Sequence, residues 1–92
     1  MKVVFSGTLL RFVNYTKEVD LDAGNLHECI GQLGAQFPSL KAVLLNGDGR
    51  VRETHQLFLN GEQVAGADTS NAAGLHLEGS DTLLILTAIA GG

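Results

Sequence analysis

The sequence predicts an α+β domain in which a mixed sheet of four to five strands packs on one main helix. Three observations predict it. β-branched and alternating runs occupy the first twenty residues, a single stretch after Asn25 has helical apolar spacing, and short apolar runs separated by turn dipeptides fill the second half.

Each element follows from a local signal. Lys2 to Phe5 is β-branched and aromatic, and Ser6-Gly7-Thr8 supplies a turn before the apolar piece Leu9 to Val13. Thr16 to Leu21 alternates, with Val19 and Leu21 apolar between Lys17, Glu18, Asp20 and Asp22, so it reads as a half-buried strand that closes a first hairpin. Asn25 is a helix N-cap, and Glu28, three residues on, is placed to reach back to the cap's backbone. Leu26, Ile30, Leu33 and Phe37 then share one helix face, and Pro38 ends the helix. Gly31 and Gly34 each weaken that helix by roughly 1 kcal/mol relative to alanine, so docking of the apolar face must supply its stability.

In the second half, Ala42 to Leu45 reads as a short strand or a turn of helix, and Asn46-Gly47-Asp48-Gly49 as a tight loop. Gln56 to Asn60 is a strand, Asn60-Gly61 is the strongest hairpin signal in the chain, and Val64 lies on the return. Residues 65 to 76 read as loop, Gly79-Ser80-Asp81 as a turn, and Leu83 to Leu86 as the last strand. The first and last strands are the most apolar. Side by side in the centre of a sheet they must be parallel, with the helix as part of the crossover. That ββαββ order is the β-grasp arrangement, with residues 1–86 as the domain and 87–92 as a flexible diglycine tail.

Composition narrows the function. Ninety-two residues suit one small core, and ten acidic against six scattered basic side chains leave a net charge of -4. Binding to nucleic acid or an anionic membrane needs clustered positive charge, so neither is an expected partner. The single cysteine forms no internal disulfide, the first residues are too quickly polar for a signal peptide, and no apolar run approaches a membrane span. A cytoplasmic protein is expected.

The sequence closes on Ala90-Gly91-Gly92. Two glycines make the thinnest peptide arm available, able to enter a narrow channel in another protein. A terminal carboxylate is ionised at neutral pH and is a nucleophile that an ATP-using partner can activate. Extended, residues 87–92 reach about 20 Å beyond the sheet.

Leu83 to Leu86 is apolar at every position, yet successive strand side chains point to opposite faces. One helix covers one face. Leu83 and Ile85 are assigned to the helix side with Leu57 and Leu59, which leaves Phe58, Leu84 and Leu86 as an outward apolar patch for partner binding.

Other residues invite functional readings that their surroundings weaken. Cys29 sits beside the Ile30 core position and reads as a buried thiol. His27, His55 and His76 share no metal-ligand spacing, so no metal site is expected. The loop from Asn46 lacks the later ligands of a calcium site. Arg50 and Arg52 flank Val51 and read as solvating charges of a strand edge, with contact to an acidic partner as the alternative.

Two segments carry a family resemblance. The run Asp81-Thr82-Leu83-Leu84-Ile85-Leu86-Thr87-Ala88-Ile89-Ala90-Gly91-Gly92 resembles the carboxyl end of the ThiS/MoaD family of ubiquitin-like sulfur carriers, and Leu57-Phe58-Leu59-Asn60-Gly61-Glu62-Gln63-Val64 is similar to that family's apolar strand and Asn-Gly hairpin. Many family tails carry proline where this chain has Thr87 or Ala88. The extra residues around Gly47 to His55 look more like the longer carriers of cysteine and specialised-metabolite biosynthesis. The resemblance implies a carrier with no catalytic residues of its own. It implies that Gly92 is adenylated by an E1-like enzyme of the ThiF/MoeB type and then thiocarboxylated, with Gly91, Ala90 and Ile89 recognised along the tail. ATP is then used by the partner, and a sulfur donor and a sulfur-accepting synthase complete the set. Two alternatives stay open: a ubiquitin-like modifier joined to lysine, and a small subunit of molybdopterin synthase.

Overall fold

A computed structural model of the chain describes residues 1–45, 47, 51–52, 55–64 and 75–87. Its elements run β1 (Lys2–Ser6), a 3₁₀ helix (Gly7–Phe12), β2 (Glu18–Asp20), α1 (Leu26–Gln36), α2 (Pro38–Leu44), β3 (His55–Leu59), β4 (Glu62–Gln63) and β5 (Thr82–Thr87). The strands form one sheet in the order β2-β1-β5-β3-β4. As their composition predicts, β1 and β5 are central and parallel, with Val3 opposite Leu83 and Phe5 opposite Ile85. The flanking pairs β1–β2, β3–β5 and β3–β4 are antiparallel.

Side chains of one sheet face meet both helices. Val3, Leu83 and Ile85 are fully buried, Leu57 nearly so, and they share a core with Leu26, Ile30 and Leu33 of α1 and Leu40 and Leu44 of α2. Burial of each such aliphatic side chain is worth about 1.5–3 kcal/mol, which offsets the weak intrinsic propensity of the glycine-containing α1. Phe37, at the joint between the helices, meets Phe5 edge to face with ring centroids 6.1 Å apart.

Asn25 caps α1 as expected, its Oδ1 accepting from the Glu28 amide at 2.8 Å. The return contact differs by one residue: Glu28 Oε1 accepts from the Gly24 amide at 3.5 Å rather than from the cap itself. Pro38 ends α1, but it also opens a second helix. At the first helical position a missing N–H leaves no hydrogen bond unmade, and the preset φ suits the helix. Ala42 to Leu44 are therefore helical, the second of the two alternatives open for that stretch, and the shorter α2 joins the main helix α1 against the sheet. The two helices approach closely, since a Cβ on Gly34 would lie 3.2 Å from the Lys41 side chain.

Three further differences have local causes. Leu9 to Val13 belongs largely to the 3₁₀ helix, which turns Leu9 into the core and leaves Val13, its C-terminal cap, buried as well. The β2 ladder is confined to Glu18–Asp20 within the expected Thr16–Leu21, and β5 spans Thr82–Thr87, one residue longer at each end than the strand expected from Leu83 to Leu86. Arg52 does not line a strand edge. Its guanidinium donates from Nε to Leu45 O at 3.0 Å and from Nη2 to Ala42 O at 3.2 Å, satisfying carbonyls at the end of α2. Arg50, most of the loop from Asn46 and the stretch 65–74 lie outside the described residues. Among the described residues, no helix is long and apolar enough to cross a membrane.

Candidate functional site

The alternation of β5 produces two apolar faces from one continuous run. Leu83 and Ile85 are buried against the helices, while Leu84 and Leu86 are only partly buried on the opposite face. Antiparallel pairing sets Phe58 of β3 directly across from Leu84, and parallel pairing sets Val4 of β1 across its other side. Val4, Leu84 and Phe58 thus form a row across three strands, bounded by Glu18 on β2 and Gln63 on β4. Leu86 lies two residues further along β5, between Ser6 and Gln56.

The sequence reading names Phe58, Leu84 and Leu86 but not Val4. The signal was the same one used for β5: Val3, Val4 and Phe5 are consecutive apolar residues, so one of them has to face away from the helices. Leu59 points inward in register with Leu83, and it packs against the core while remaining partly exposed.

The register of this row is held by a polar clasp with no sequence-local signature. Asn60 and Gly61 form the two-residue hairpin with φ of 52° and 88°, the left-handed geometry that Asn-Gly adopts readily. The Asn60 side chain then reaches the start of β5. Its Nδ2 donates to Asp81 Oδ1 at 2.9 Å, and its Oδ1 accepts from the Thr82 amide at 2.9 Å. Asp81 Oδ2 accepts from the Glu78 amide at 2.8 Å, closing the preceding turn. The Asn60 hydrogen bond, followed by that from the Glu78 amide, holds the Asp81 carboxyl below its ordinary pKa. The hairpin and the final strand are therefore tied together at the end remote from the tail.

Thr87 is the last described residue and pairs with His55. Ile89, Ala90, Gly91 and Gly92 lie outside the described residues. Beside the place where β5 ends, an open pocket of about 330 Å³ lies between Leu9 and Phe12 of the 3₁₀ helix, Ala42 and Val43 of α2, and Arg52 and His55.

The other chemistry-bearing residues do not join this face. Cys29 is completely buried in α1, and burial pushes its thiol up to about 12. Such a thiol is inert at neutral pH. His27 and His76 are exposed, while the His55 Nε2 approaches Val43 O at 2.6 Å and ties β3 to α2. Among the described residues, no group of three metal-ligating side chains converges.

Neither a protein-family model nor a curated protein matches the sequence. Solved structures do match the fold. The BexX/CysO complex of Amycolatopsis orientalis aligns with a TM-score of 0.80 and 24% identity, over 99% of this chain and 98% of the matched chain. Small archaeal modifier protein 1 of Methanosarcina acetivorans aligns with a TM-score of 0.77 and 22% identity, over 99% and 94%. CysO of Mycobacterium tuberculosis aligns with a TM-score of 0.77 and 19% identity, over 96% and 98%. At such identities the likeness is one of architecture, and the architecture of this chain is the ubiquitin-like β-grasp fold.

Proposed function

We propose that this chain is a sulfur carrier of the ThiS/MoaD type, activated at the carboxylate of Gly92 and docked through Val4, Phe58, Leu84 and Leu86. The observation that carries the reading is the placement of β5. It is central in the sheet, displays Leu84 and Leu86 on the open face, and ends at Thr87, five residues before Gly92. A partner that grips the open face is therefore within about 20 Å of the carboxylate when the intervening residues are extended.

The chemistry is a two-step acyl transfer. A Gly92 carboxylate oxygen attacks the α-phosphorus of ATP, pyrophosphate leaves, and a mixed anhydride with AMP forms. Hydrosulfide supplied by a donor then attacks the carbonyl carbon and expels AMP, leaving a thiocarboxylate and releasing a proton. The carboxylate itself does not accept sulfide, because it has no competent leaving group; the anhydride does. An E1-like enzyme of the ThiF/MoeB type supplies the ATP site, and Ile89, Ala90 and Gly91 are the residues that thread its channel. The carrier contributes a handle and a docking face, and a sulfur-accepting synthase consumes the product. The similarity to CysO structures, one of them a complex with BexX, favours this reading over other uses of the fold.

A second reading, a modifier whose activated carboxyl joins a lysine amine, is favoured by the similarity to small archaeal modifier protein 1. Both readings require adenylation. The test is ATP–pyrophosphate exchange catalysed by the E1-like enzyme of the cells that make this chain. Exchange is expected with the full sequence and lost on deletion of Gly92, with an unchanged melting temperature. Exchange that survives the deletion refutes activation at Gly92.

A further inference from the structure

Charge is divided between the two ends of the sheet, and the end from which β5 leaves is the basic one. Arg11 lies in the 3₁₀ helix that follows β1, and Lys17 precedes β2, its carbonyl accepting from the Phe5 amide at 2.9 Å. Lys41 is on α2, and Arg52 precedes β3, the strand whose first residue pairs with Thr87. All four are exposed, and Glu18, the acid directly after Lys17, turns its carboxylate toward Lys2 at 3.6 Å. Asp48, Arg50 and Glu53 fall in the connection from α2 to β3, outside the described residues. The chain as a whole carries a net charge of -4.

The opposite end carries the acids. Asp20 pairs with Lys2 at the start of β1, Asp22 and Glu28 precede and open α1, Glu62 follows the Asn60-Gly61 turn, and Glu78 and Asp81 precede β5. Lys2 is the one described base there, and it is engaged by Glu18 at 3.6 Å. Such segregation gives the molecule a field that orients it during encounter.

A second feature marks the same basic end. Tyr15 is 69% exposed, the one large hydrophobic side chain so exposed among the described residues. It and Asn14 both have left-handed backbone, with φ of 59° and 55°. Consecutive left-handed residues that are not glycine are uncommon and costly. Here the conformation is held by the Tyr15 amide donating to Leu10 O at 2.7 Å and the Thr16 amide to Val13 O at 3.0 Å. An exposed aromatic held in a fixed backbone conformation, with Arg11 and Lys17 close to it in sequence, has the composition of an interface anchor, in which aromatic and arginine groups dominate binding energy.

We propose that the Tyr15, Arg11, Lys17 and Lys41 end is a second docking face, distinct from the open sheet face, and that its partner is an acidic protein surface rimming the site that accepts the tail. This rests on the activation reading above and names the chemistry of that partner. The basic end steers the tail-bearing side toward the enzyme, and the acidic end is repelled from it. Arg52 is excluded from the test because it caps α2.

The experiment measures association and dissociation rates with the E1-like enzyme across about 20 to about 500 mM salt. The chains compared are the wild type, R11E/K17E, R11Q/K17Q, Y15A and, at the opposite end, K2E. The wild-type association rate is expected to fall about tenfold or more with salt. R11E/K17E is expected to lose about tenfold at low salt and little at high salt, with R11Q/K17Q intermediate and K2E unchanged. Y15A is expected to raise the dissociation rate about tenfold. Circular dichroism confirms that each variant is folded. A salt-independent rate, or equal loss in K2E, overturns this face while leaving activation at Gly92 intact. Binding of a single-stranded oligonucleotide through the same bases, with the enzyme's rates unaffected, overturns the assignment of a protein partner. No binding of the wild type by the enzyme overturns both readings.

Discussion

Replacing Phe58 by alanine separates the two faces of the sheet, because its neighbour Leu57 points the other way. Leu57 is 2% exposed, in register with the fully buried Ile85. Its truncation removes core contacts and leaves a cavity, at a cost of about 3 kcal/mol. In a domain of this size that lowers Tm by about 12–24 °C. Phe58 is partly exposed and packs mainly sideways on Leu84 and Gln63. Cross-strand pairs contribute about 0.2–1 kcal/mol each, so Phe58→Ala should cost about 1.5 kcal/mol and about 6–12 °C, half the loss at Leu57. Binding should order the two oppositely. An aromatic anchor at a docking face is worth about 2 kcal/mol or more, a loss of about 30-fold in Kd. Leu57→Ala, measured below its transition, should change Kd by less than about threefold. Thermal melts followed by circular dichroism and calorimetric titration of the E1-like enzyme supply both numbers. The reasoning is refuted if Phe58→Ala melts as early as Leu57→Ala while binding the enzyme like the wild type.

Other consequences concern the supports of the site. Asn60→Gly keeps the left-handed turn but removes the acceptor of the Thr82 amide, at about 1 kcal/mol; Tm should fall by about 4–8 °C, and an unchanged melt would show that the clasp contributes nothing. Because the folded-state pKa of Asp81 lies below its ordinary value, its contribution is present above about pH 4 and is lost as pH falls through the folded pKa. Asp81→Asn should therefore flatten the acid limb of a stability–pH curve, and an identical limb would assign acid lability elsewhere. Cys29, buried and with its thiol pushed up to about 12, should resist a thiol reagent in native protein and react once in denaturant; rapid native labelling would contradict its place in the core.

The parts of the fold governed by local chemistry were legible in the sequence. Asn25 caps α1, Asn60-Gly61 turns the hairpin, and the alternation of Leu83 to Leu86 divides core from open face, because each depends on a few neighbouring residues. The apolar strength of β1 and β5 gave their central, parallel pairing. What escaped depended on tertiary placement. Pro38 ends one helix and begins another with equal ease, and which happens depends on Leu40 and Leu44 finding the core. Arg52 sits beside a strand in sequence but caps a helix in space. The Asn60–Asp81 clasp joins residues twenty-one apart, and neither residue alone announces the other. The divided charge of the molecule was hidden for the same reason, since Arg11, Lys17, Lys41 and Arg52 are scattered along the chain and meet only at the end where β5 finishes.

Intact-mass measurement of the protein purified from its own cells bears most directly on its use as a carrier. Thiocarboxylation of Gly92 predicts a species heavier than the unmodified chain by about 16 Da, the exchange of one oxygen for sulfur, that returns to the unmodified mass when hydrolysis releases sulfide. Only unmodified chain, with the E1-like enzyme and a sulfur donor supplied, or only heavier branched conjugates to lysine, would contradict it.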